Sequence, residues 1–197
     1  MSGSSKSLEF RIYRHYWDDG LLDLFAAVGV VLIGASWVMD HSVLGAIVPA
    51  LLVPLWQPFR SRFVEPRLGF VEFSDSREQQ NRKRLKLIVY LGVVTLLAAL
   101  ALYFQRELLP VVPGVRMVAG LPAMLLAILA ATTALLIANA RFLVYSIVLL
   151  LAGSLGAWLG WSPGAIMLVG GAVMLVIATA VLVKFLHANP VDSGVAE

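Results

Sequence analysis

The sequence predicts an all-α, polytopic transmembrane helix bundle of six spans, and three observations carry that prediction. Six long apolar runs are separated by short polar seams. Apolar residues form 60% of the chain and charged residues 14%, with a mean hydropathy of +0.87, whereas a soluble domain carries about 25% charged residues. Thirteen of the fifteen Lys and Arg residues fall on alternate seams. Hydrocarbon offers no water to unpaired amides, so each run must satisfy its own backbone as a helix.

Ahead of the first run, residues 1–20 form a segment suited to the membrane surface. In LEFRIYRHYW, Leu8 to Trp17, the aromatics Phe10, Tyr13 and Trp17 recur at helical spacing, with Arg11, Arg14 and His15 largely between them. Aromatics at the interface and cations over lipid phosphates make an anchor. Asp18, Asp19 and Gly20 then turn the chain, and either Asp can cap the first span, Leu21 to Met39. That run is longer than the apolar core of a cleavable signal and is followed by further runs, so it is expected to stay in the mature protein. Asp23 is the most deeply placed acid. It is expected to extend the acidic helix start, to pair with an Arg of the basic loop, or to serve as a functional ion site.

The second span, Ser42 to Phe59, contains Pro49, Pro54 and Pro58, each of which removes a donor and crowds the preceding turn. A kink or local unwinding is expected, either in a packing helix or in a broken helix lining a site. Residues 60–86 then form the main polar loop. RFVEPRLGFVEF alternates around Pro66 to Gly69 and reads as an extended hairpin or a surface-bound loop. SDSREQQNRKRLK reads as a helix start capped by Ser74 or Asp75, so the third span, Leu87 to Phe104, should protrude from the membrane. The candidate contacts to lipid headgroups or a partner are Arg60, Arg62, Arg67, Arg82, Lys83, Arg84 and Lys86.

The last three spans are expected at Val118 to Ala138, Phe142 to Trp161 and Ala165 to Phe185, the final two divided by a tight turn at Trp161 to Gly164. Ala119, Ala123, Ala127 and Ala131 share one face, as do Gly156, Gly160 and Gly164. Small residues allow close helix approach within one chain or between copies in a homo-oligomer. Thr132 and Thr133 can bond their own helix carbonyls.

Orientation follows from the cations, of which only Arg106 and Arg116 lie on the minority side. The positive-inside bias predicts cytoplasmic N- and C-termini, a short tail at 186–197 and residence in a bacterial-type inner membrane. The absence of Cys excludes disulfides, thiolate catalysis and Cys-ligated metal. His15, His41 and His187 form no HExxH element, GSLG at Gly153 to Gly156 is not a GxSxG elbow, and paired intramembrane carboxylates are missing. No catalytic residue, metal or cofactor is predicted. The sequence pI near 9.4 reflects cations beside membrane ends, which favours anionic lipid over nucleic acid as partner. The leading expectation is a noncatalytic accessory or scaffold protein presenting its basic loop to lipid or a membrane partner. The alternative is a small transporter or channel subunit of three-plus-three inverted-repeat design, with Pro49 and Pro54 facing Gly153 and Gly156 at broken helices.

Overall fold

A carboxylate and a glycine start the first helix. In the computed structural model, which describes residues 19–68, 86–87, 90–95, 97–98, 101, 115–137 and 139–190, Asp19 Oδ1 accepts from the Leu21 N–H at 2.8 Å. Gly20 adopts φ 77°, a left-handed conformation that costs an L side chain strain, and the helix α1, Leu21–Val38, follows. The sequence placed a capping Asp here; the N-cap is instead Gly20, and Asp19, one residue before it, bonds the first helical amide.

After a turn at Met39 to His41, α2 runs over Ser42–Phe63 and a short α3 over Glu65–Leu68. Asp40 makes the turn with φ 58°, and His41 N donates to Ser36 O at 2.8 Å, so the orphan carbonyls of α1 are met by a left-handed C-terminal motif. Two expectations are corrected here. The helix is uninterrupted through Pro49, Pro54 and Pro58, so the unwinding inferred from the prolines is not seen. It also continues past Phe59, and residues 60–68 are helical apart from a break at Val64, not the start of an extended hairpin. FRSRF holds no helix breaker, and Pro66 sits in the first turn of α3, where its missing N–H costs nothing. Residues 69–85, including the expected helix start at 74–86 below Lys86, lie outside the described residues, as do 1–18.

The described residues of the third run, from Lys86 to Ala101, are helical. A 3-10 stretch, Val115–Gly120, leads into α4, Leu121–Ile137, and α5 and α6 follow at Arg141–Trp158 and Pro163–Ala188. Between α5 and α6, Gly160 at φ 74° lets Trp161 N reach Gly156 O at 2.9 Å and Gly160 N reach Ala157 O at 3.2 Å. Ser162 then caps α6 by accepting from Ala165 N, with Pro163 at the first helical position. Among the described residues there is no strand, and four helical stretches are long and apolar enough to cross a membrane: Leu21–Val38, Val118–Ile137, Arg141–Trp158 and Pro163–Ala188.

Glycines set the packing at the centre. The antiparallel pair α1 and α6 touches backbone to backbone: a β-carbon added to Gly34 would stand 2.8 Å from Leu168 Cα, one on Gly164 2.8 Å from Val38 N, and one on Gly171 2.8 Å from Val31 N. Such closeness replaces the hydrophobic drive that lipid removes with dense van der Waals contact. α2 packs on α1, α5 on α6, and α4 on α5. Ala123 and Ala127 are fully buried, so the alanine face of α4 works within the chain.

Candidate functional site at the basic end of the bundle

The start of α1, the end of α2 with α3, the start of α5 and the end of α6 meet at one end of the bundle. Leu21, Val64 and Phe185, one from each of three chain regions, form a buried cluster there, with Phe25, Trp56 and Leu186 against it. Phe25 stacks edge-on with Trp56 at 5.7 Å and with Phe59 at 5.6 Å.

Three arginines point inward at this end. Arg60, only 4% exposed, pairs with Asp19 at 3.2 Å and lies 5.8 Å from the Trp56 ring centroid. Arg141, the first residue of α5, pairs with the fully buried Asp23 at 3.3 Å. That contact is an ion pair without a formed hydrogen bond. Tyr145, also fully buried, packs edge-on with Phe142 at 5.5 Å. Asn139 orients Arg141: its Oδ1 accepts from Arg141 N at 3.0 Å and from Arg141 Nε at 3.3 Å. Arg67 donates to Leu186 O at 3.2 Å and Asn189 O at 2.8 Å, so a cation closes the negative C-terminal end of α6.

Asp23 therefore does pair with arginine, but with Arg141 at the head of α5 and not with one from the 60–86 loop. The loop's nearest cation, Arg60, is taken by Asp19, and Asp23 lies deeper, level with the start of α5. The sequence held a signal for this: Asp23 is the lone acid one turn into its run, and Arg141 the lone cation between the fourth and fifth runs. Isolated opposite charges at equal depth have strong reason to meet. The use of Asn139 and of the α6 carbonyls had no such signal.

The remaining candidates divide by location. Arg62 and Lys86 are exposed, whereas Arg82, Lys83 and Arg84 lie outside the described residues. Pro54 is exposed, and Pro49 lies within continuous α2. Gly153 and Gly156 are buried, Gly153 against Gly120 and Met124 and Gly156 against Ile166. Thr132, Thr133 and Ser154 donate to the carbonyls of Ile128, Leu129 and Leu150 in their own helices, at 2.9, 2.8 and 2.7 Å. No group of three or more His, Asp or Glu among the described residues could hold a metal ion. Comparison with protein families, curated proteins and solved structures returned no match for this chain.

Proposed function

We propose that the chain is a six-span, noncatalytic scaffold of the inner (plasma) membrane, with both termini cytoplasmic, that presents a basic end to anionic lipid. The observation that supports this reading most is the gathering of helix ends from α1, α2, α5 and α6 at the one end that carries Arg60, Arg62, Arg67, Arg141 and Lys184, where the buried carboxylates Asp19 and Asp23 are engaged by arginine and Glu65 is the exposed one. Such an end has fixed geometry and surplus positive charge. Cations held at an anionic leaflet each contribute on the order of 1 kcal/mol and weaken with salt. The transporter alternative is less well supported, because Gly153 and Gly156 are engaged by the α4 entry and α6, and the mid-helix hydroxyls bond within their own helices.

The test is lipid preference. With the full chain in bilayers, tryptophan quenching by brominated phosphatidylglycerol should exceed quenching by brominated phosphatidylcholine, and the excess should shrink as salt rises. Equal quenching by the two lipids at all salt concentrations would contradict the reading.

A further inference from the structure

The cations at the basic end differ in where their charge is directed. Arg60, Arg67 and Arg141 sit on three different elements, and each turns into the protein: Arg60 and Arg141 onto carboxylates, Arg67 onto the terminal carbonyls of α6. Arg62 on α2 and Lys184 on α6, whose ends meet through Val64 and Phe185, are both exposed. Arg60 and Arg62 are two residues apart on α2, which turns their side chains to nearly opposite faces of the helix. Beside Arg62, Phe59 and Phe63 stand exposed with ring centroids 5.8 Å apart. Aromatic rings outside a bundle with a cation at the same level match the boundary between acyl chains and phosphates.

We infer that the end is built in two layers: an inner clasp of Arg60, Arg67 and Arg141 that fixes the helix ends, and an outer girdle of Arg62 and Lys184 that binds anionic phospholipid headgroups. This rests on the lipid-presenting reading above and deepens it. Headgroup recognition is assigned to residues of α2 and α6 together, not to the 60–86 loop as a unit. The inner arginines act on lipid only by holding the outer residues in place.

The same quenching assay on the full chain, joined to thermal unfolding in detergent, separates the layers. The outer variant R62Q/K184Q should reduce the phosphatidylglycerol preference by about fivefold and flatten its salt dependence, with the unfolding midpoint unchanged. R60Q, R67Q and R141Q should each lower the midpoint and keep the preference. If a variant of the inner set fails to fold, R67Q alone serves, since it removes hydrogen bonds to carbonyls and leaves no buried carboxylate behind. Equal loss of preference from inner and outer variants would overturn the division. A comparison variant, R82Q/K83Q/R84Q, tells this inference from the reading it rests on. If it abolishes the preference while the outer variant does not, the girdle is wrong and the lipid reading stands; if the unaltered chain shows no preference, the lipid reading itself fails.

Discussion

Asp19 and Asp23 stand four residues apart, yet they are held by arginines from distant parts of the chain, Arg60 in the last turn of α2 and Arg141 at the head of α5. A buried carboxylate stripped of its cation keeps the cost of desolvation without the attraction that offset it. Arg141→Gln should therefore destabilise the protein by about 3 kcal/mol, the lower part of the usual range because Arg141 retains some exposure to solvent. Asp23→Asn should cost a similar amount, and the double variant should cost less than the sum by about 1–3 kcal/mol. Thermal unfolding of the three variants in detergent measures this; strict additivity would show that the two side chains do not act as a pair. At this scale the sequence exposes charge but not partnership. Asp23 and Arg141 were each visible as lone charges, while the carbonyls that Arg67 reaches belong to the backbone and leave no mark in side-chain pattern.

Helices α1 and α6 are joined by glycines whose role is distance, and Gly160 is a glycine whose role is conformation. Gly34→Ala would drive a methyl group to 2.8 Å from Leu168 Cα, so the two helices must separate, at a cost of about 1–3 kcal/mol. Gly160→Ala meets nothing within 4 Å and should cost only the left-handed strain, about 1 kcal/mol. Gly160→Asn should recover part of that, since Asn tolerates the conformation, whereas Gly34→Asn should be worse than Gly34→Ala. Unfolding midpoints of the four variants check the contrast, and a matching response at the two sites would refute it. Elements were largely readable because apolar runs of membrane length admit few alternatives: the first helix ends within a residue of its expected limit. The ends read less well. Alternation in RFVEPRLG resembled a strand, but α2 carries helical geometry to Phe63 and resumes it at Glu65, since contact with α6 through Val64 and Phe185 outweighs local pattern. The Gly156, Gly160 and Gly164 series likewise suggested one packing face, yet Gly160 is exposed in a turn.

For the whole molecule, the described helices connect in a way that sends successive polar seams to alternate ends. Arg60, Arg67 and Arg141 converge with the starts of α1 and α5, while Asp40 and Gly160 mark turns at the opposite ends of those helices. Among the described residues, arginines of the α2–α3 segment and of the α4–α5 turn thus meet at one end of the bundle. The proposed orientation, which follows the positive-inside rule, turns the end bearing the arginines to the cytoplasm. The chain has no Cys, so single cysteines can be placed without background. The decisive measurement is labelling of such variants by a membrane-impermeant maleimide in intact cells and in inverted vesicles. Cysteines at Arg62, Ala140 and Ala188 should react only in inverted vesicles, and those at Asp40 and Ser162 only in intact cells. Labelling of the Arg62 and Ala140 positions from opposite sides, or of both from outside, would contradict the proposed architecture.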